Sequence, residues 1–171
     1  MRLAILTMLS TAARVTAVLE LTWDRVDFDG GKINLRTTEL GPRKGRAVVP
    51  MNDGLRAALT VAKGIAQTDH VIEWAGQQVA SITTGFRNAA IRAGFVEALP
   101  SGWRRATISP HTLRHTAAVH MAAAGRPMSK ISQYLGHSNT SVTERVYARY
   151  APDHLREEAE VLDFTKHAKA V

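Results

Sequence analysis

Cysteine is missing altogether from the 171-residue chain, which excludes a disulfide framework, thiol catalysis and thiolate metal sites and is compatible with a reducing cytosol. Long apolar runs are missing too. The opening MRLAILTMLSTAAR holds a short hydrophobic stretch, but a bilayer span needs about 20 apolar residues and Arg14 interrupts this one too early for a span or a signal peptide. It reads as a buried helix. The chain starts almost inside that helix, with no polar lead-in, the pattern expected of a fragment whose upstream domain lies elsewhere. Also absent are a glycine-rich phosphate loop ending in Lys-Ser/Thr, an HExxH pair, a GxSxG elbow and an aspartate-rich metal cluster. Their absence removes the enzyme classes built on those parts. No internal repeat, low-complexity tract or long linker divides the chain.

Acidic residues are in the minority. Lys and Arg outnumber Asp and Glu by 22 to 15, giving a formal net charge of +7 and a pI near 10.2. The long-range field therefore favours a polyanion, nucleic acid first; a merely solvated basic surface is the plain alternative. The length and the 45% hydrophobic content predict one domain over residues 1–171 with a sizeable core.

Periodicity predicts an α+β chain, mainly helical, with a small antiparallel sheet or hairpin. Ser10 or Thr11 is placed to cap a second helix, with Val15, Val18, Leu19 and Leu21 on its apolar face and Arg14 in its first turn. There Arg14 is either solvated or faces something negative. DFDGGKINLR and RAVVPM predict two strands around TTELGPRKG, with Arg43, Lys44 and Arg46 at or near a basic tip. A charged loop that keeps an edge strand soluble is the competing reading. Asn52 or Asp53 caps a helix whose Leu55, Leu59, Ala62 and Ile65 repeat at helical spacing as core residues. HVIEW reads as a buried strand, GQQ as a turn, and Ser81 as the cap of a helix that points Phe86, Ala90 and Ile91 inward and offers Arg87 and Arg92 to phosphates. FVEALPSGWRRATIS reads as a loop or weak ribbon carrying Arg104 and Arg105, with Trp103 covering a core edge or stacking on a sugar or base. Pro152 and Asp153 start a tail helix within 152–171, whose Leu155, Ala159 and Leu162 form a narrow stripe that caps the core or docks on a neighbour.

The densest chemistry lies between Ser109 and Tyr147. Ser109 and Pro110 read as N-cap and first residue of a helix that Gly125 stops, which puts His111 and Arg114 three apart near a positive helix end suited to phosphate. A second helix closes at Gly136 and hands on to His137, and a third carries Tyr147. His111 and His115 are four apart and can suit a metal, with Glu144 or Asp153 adding a carboxylate, but the arginine between them sets like charge beside a cation. Metal-free phosphoryl chemistry fits better. Two arginines can fork onto the non-bridging oxygens of a phosphodiester, histidine can pass protons, lysine can protonate a leaving oxygen and a tyrosine hydroxyl can attack phosphorus.

TAARVTAVLELTWDRVD, the KINLR…RKGRAVVPM hairpin, HTLRHT and YLGHSNTSVTERVY, in this order, closely resemble the catalytic domain of the tyrosine recombinases, the phage integrase family. The resemblance covers nearly the whole chain. It implies that Arg14 is the first catalytic arginine, Lys44 the hairpin lysine, His111 and Arg114 the HxxR pair, His137 the LGH histidine and Tyr147 the nucleophile. Arg36, Arg43 and Arg46 compete with Lys44, and Tyr150 with Tyr147. Arg43, Arg46, Arg87, Arg104 and Arg105 are the further candidates for touching DNA. The implied reaction forms a 3′-phosphotyrosyl link, releases a 5′-hydroxyl and rejoins strands with no cofactor, metal or ATP.

Implied partners are double-stranded DNA, a tetramer on paired DNA sites with monomers off DNA, and accessory DNA-bending proteins. The resemblance also implies a bacterial or phage-encoded protein acting in the cytoplasm on nucleoid DNA, not at a membrane. Two departures stand out. Where the family's TGLRxxE motif has glycine and an acidic residue this chain has Ala12 and Ala17, and nothing in it corresponds to the family's upstream DNA-gripping domain. Weak, salt-sensitive DNA binding is therefore expected. A catalytically silent DNA-binding remnant or regulator of the same fold is the alternative reading, and a type IB topoisomerase shares the tyrosine and arginine chemistry.

Overall fold

The computed structural model describes residues 1–36, 47–152 and 155–162. It opens with α1 (Arg2–Thr11), which buries Ala4, Thr7, Met8 and Thr11 and ends at Ala12 in the left-handed region, φ 51°. A side chain there costs about 1 kcal/mol, which the complete burial of Ala12 helps to offset. Thr11 supports the turn: its hydroxyl donates to the Thr7 carbonyl at 2.6 Å and accepts from Ala13 N–H at 3.3 Å.

The short α2 (Val15–Leu19) follows, and its N-cap is Arg14 in extended conformation (φ −70°, ψ 147°). Ser10 and Thr11, the caps expected from sequence, lie instead in the last turn of α1. The left-handed residue ends α1 at Ala12, so the N-cap of α2 falls three or four positions later than the caps expected from sequence.

Strands β1 (Val26–Asp27), β2 (Lys32–Asn34) and β3 (Val48–Pro50) form one antiparallel sheet in that order. Val26 pairs with Ile33 and Ile33 with Val49, so a single buried row faces the core while Lys32, Asn34 and Val48 face out. The hairpin expectation thus holds for its stem, with β1 as an additional edge. Its tip lies outside the described residues.

Asn52 caps α3 (Asp53–Gly64) by accepting Leu55 N–H at 2.8 Å. Leu55 and Leu59 are fully buried, but Ile65, expected in the core, is 76% exposed because the helix ends one residue before it. HVIEW divides at its middle: Val71 and Ile72 are buried, while β4 (Glu73–Trp74) turns through Ala75 and Gly76, both at positive φ, into β5 (Gln77–Gln78). The expected GQQ turn is therefore half turn and half strand.

In α4 (Thr83–Arg92), Phe86 and Ala90 are buried. The N-cap is Ile82, and Ser81 still accepts Thr83 N–H at 3.3 Å. The weak ribbon is a real hairpin, β6 (Val96–Ala98) against β7 (Arg104–Ala106). Trp103 at its turn is 76% exposed, so it covers no core edge.

Three helices complete the domain: α5 (Pro110–Ala123), α6 (Met128–Leu135) and α7 (Thr140–Tyr147). A core of residues from α1, α2, the sheet and α3 meets a second cluster made by Ala12, Ala118, Ala122, Ile131, Leu135 and Tyr147. Helix α1 packs on α5 at their boundary. A helical turn (Ala148–Tyr150) leads to α8 (Arg156–Val161), where Leu155 and Leu162 are 61% and 65% exposed. The tail stripe therefore does not cap this core. Among the described residues no helix is long and apolar enough to cross a membrane.

Candidate active site

The junction between α1 and α2 faces the N-terminal end of α5 across a cleft of about 210 Å³. Residues 13–16 form one wall, and Pro110, His111 and Arg114 form the other. Such a volume falls below the roughly 300 Å³ where drug-sized pockets begin and suits a group of phosphate size. The α5 end is fixed by Pro110 at its first position and by Ser109 N–H donating to Thr112 Oγ1 at 3.1 Å. Its remaining amide donors and dipole favour an anion there.

Arg114 is only 4% exposed. Its Nη1 donates to the Ala12 carbonyl at 2.7 Å, and its Nη2 donates to the Leu135 carbonyl at 2.9 Å and to His137 Nε2 at 3.0 Å. A guanidinium carries five N–H donors, so Nε–H and one Nη1–H have no partner among the described residues. The plane is clamped by groups at the ends of α1 and α6, with donors left for a ligand in the cleft it lines. Burial, then the neighbouring Arg14 charge, push its pKa down to about 10, while Tyr147 acts the other way. It stays cationic at neutral pH.

The clamp settles the state of His137. A guanidinium offers no acceptor, so Nε2 must be the accepting nitrogen and Nδ1–H must donate to Thr143 Oγ1, 2.8 Å away. Thr143 is fully buried. Burial first, then the charges of Arg114 and Arg14, hold the imidazole pKa below its ordinary 6.5. The α6 helix that delivers the Leu135 carbonyl is itself tied down by Tyr134, whose hydroxyl donates to the Ser10 carbonyl at 2.7 Å. Tyr147, last residue of α7, is 7% exposed. Burial raises the pKa of its phenol, Arg114 opposes that rise and Tyr150 adds to it.

The site thus gathers Arg14, His111, Arg114, His137 and Tyr147 from positions up to 133 residues apart in sequence. The sequence profile described as the phage integrase family matches residues 1–154. The chain belongs to the phage integrase family.

Among solved structures, the catalytic domain of bacteriophage HP1 integrase is 30% identical, with TM-score 0.62 over 96% of this chain and 82% of that one. A Tn1549 transposon integrase in complex with transposon right end DNA, 23% identical and covering 94% and 58%, shares the fold at TM-score 0.72. Tyrosine recombinase XerC of Bacillus pumilus is 30% identical over 81% of this chain, a match spanning 43% of that protein's length. The chain therefore spans under half of that relative.

Within this integrase fold the remaining candidates fall in different places. Lys44, Arg43 and Arg46 lie outside the described residues. Arg87 and Arg104 are exposed on α4 and β7, away from the cleft lining. Arg105 pairs across the hairpin with Glu97 at 2.6 Å. Asp153, a possible metal ligand, is likewise outside the described residues.

Ala17, where the integrase motif carries an acid, is 1% exposed within the apolar core. Three of the five N–H donors of Arg114 are taken by the carbonyls of Ala12 and Leu135 and by the His137 ring. Two contributors could not be named from the sequence, the Ala12 carbonyl and Thr143. The first is backbone aimed by a left-handed turn, and the second is one threonine among several until the fold places it beside His137.

His137 gives stability a pH signature. Its native pKa is depressed, so the stabilisation is fully present above the unfolded value near 6.5 and is lost as pH falls through the native value. Thermal melting of the parent should therefore drop more between pH 7.5 and 5 than that of His137→Gln, which cannot titrate. Parallel melting curves would contradict the assigned neutral imidazole.

Proposed function

We propose that this chain is the catalytic part of a site-specific DNA recombinase that breaks and rejoins strands through Tyr147. The observation that carries the reading is the convergence of Arg14 and Arg114 on one phosphate-sized cleft, with the Arg114 charge acting on the Tyr147 hydroxyl. Arg14 and Arg114 neutralise charge on the two non-bridging oxygens as it builds in the transition state. The Tyr147 oxygen attacks phosphorus, the P–O5′ bond breaks, and the phenol proton passes to a neighbouring base. The leaving 5′-oxygen takes a proton from a general acid, for which Lys44 is the candidate. His111 at the cleft mouth and His137 behind it are the candidate proton-transfer and hydrogen-bonding groups. The phosphotyrosyl bond conserves the energy of the broken bond, so a 5′-hydroxyl can reverse the step on the same or another strand.

Double-stranded DNA is the substrate in this reading, attracted by the chain's net charge of +7. Tetramers form on paired sites and monomers persist off DNA. A nicked suicide duplex, from which the fragment bearing the 5′-hydroxyl diffuses away, traps the intermediate. Incubation should give a covalent protein–DNA adduct whose peptide map places the nucleotide on Tyr147. An adduct on Tyr150 would reassign the nucleophile. DNA binding without any adduct would establish a silent binding module instead.

A further inference from the structure

His115 follows Arg114 in α5 and has no part in the chemistry above. Successive helical residues project about 100° apart, given 3.6 per turn, so while Arg114 enters the clamp, His115 faces the end of α7. Its ring centroid lies 5.3 Å from that of Tyr147, tilted by 38°, and 6.3 Å from that of Tyr150 in an edge-on arrangement at 82°. Both separations lie in the range where aromatic pairs attract. Tyr147 is the final residue of α7 and passes directly into the helical turn at 148–150, so its phenol is held by side-chain contacts more than by further turns of its own helix. We propose that His115 is a positioning residue for Tyr147, holding the phenol on its Arg114 side while Tyr150 braces the imidazole from its edge.

A tilted ring contact of this kind steers the phenol by van der Waals and quadrupole attraction. No hydrogen bond links His115 to the Tyr147 hydroxyl among the described residues, and the proposed role rests on the ring contact alone. The geometry also distinguishes the two phenols: Tyr147 is buried beneath the imidazole, whereas Tyr150 is 40% exposed at its edge. In-line attack requires the oxygen within a few tenths of an ångström of its place, and a misplacement of about 1 Å costs about 100-fold in rate.

The proposal rests on the reading of Tyr147 as nucleophile, and its test separates the two. The full chain and its His115→Ala and His115→Phe variants are compared in single-turnover cleavage of the suicide duplex and, without DNA, in spectra of ring-labelled tyrosine. The chain has three tyrosines, so Tyr134 reports on the fold while Tyr147 and Tyr150 report on the contact. His115→Ala should slow cleavage by about 100-fold with unchanged DNA affinity and should move the Tyr147 and Tyr150 signals but not that of Tyr134. His115→Phe, which keeps a ring, should recover most of the rate. Cleavage by His115→Ala at the parent rate, or His115→Phe as slow as His115→Ala, overturns the positioning role. If the parent forms no adduct, the recombinase reading fails, and an unmoved Tyr147 signal in His115→Ala then overturns the contact independently.

Discussion

Replacing Arg114 by alanine should cost the protein both stability and activity, and by the same structural cause. The guanidinium satisfies the carbonyls of Ala12 and Leu135 and the Nε2 of His137, all gathered around a residue that is 4% exposed. Truncation strands three acceptors, each worth about 1–3 kcal/mol if left dry, while relieving the desolvation of a charge. A net loss of about 3 kcal/mol is expected by urea denaturation, a large part of the 5–15 kcal/mol typical of a domain. Cleavage of the suicide duplex should fall by about 1000-fold, since loss of one preorganised donor at a developing oxyanion alone costs 100- to 1000-fold. Arg114→Lys keeps the charge but not the planar fork, and one ammonium cannot meet three divergent acceptors. It should recover part of the stability and little of the rate. Parent-like stability of Arg114→Ala would show that the clamp is not what joins the three helices.

The second large effect is expected at Ala17, where restoring the family's acidic residue should harm this chain. Ala17 is 1% exposed, and the cluster around it is apolar, with Ala4, Met8, Val18 and Leu21 among its members. A glutamate there must displace packed atoms, at about 1–3 kcal/mol, and bury a carboxylate in apolar surroundings, at several kcal/mol more. Ala17→Glu should therefore lose at least about 4 kcal/mol and express poorly. A variant as stable as the parent, with a carboxyl that titrates below the ordinary range, would reveal a cation in reach of position 17 and refute this account.

Much of this was legible before any coordinates. Ser109-Pro110 and Gly125 bound α5 where local chemistry said they would, and Gly136 closes α6 at φ 67°. Asn52 caps α3 as its position after a strand implied. HTLRHT, LGH and the following tyrosine carried the resemblance to the integrase family, which the family match over residues 1–154 bears out. Boundaries set by packing were harder to see. Ile65 has helical spacing but lies beyond the end of α3, and Trp103 is apolar but stands on a hairpin turn facing solvent.

The amino-acid sequence by itself determined the inventory: a basic chain without cysteine, its helix caps, its core stripes and the residue types that phosphodiester chemistry needs. Those are local properties, set by propensity, periodicity and side-chain chemistry within a few residues. Tertiary structure alone decided that Ala12, 102 residues before Arg114, turns its carbonyl onto that guanidinium, that Arg114 and Thr143 meet the two ring nitrogens of His137 and that His115 lies against Tyr147. Backbone carbonyls are chemically alike along the chain, and a ring contact depends on two helices meeting at one angle. Neither leaves a trace in composition or spacing, so only the folded chain could select them.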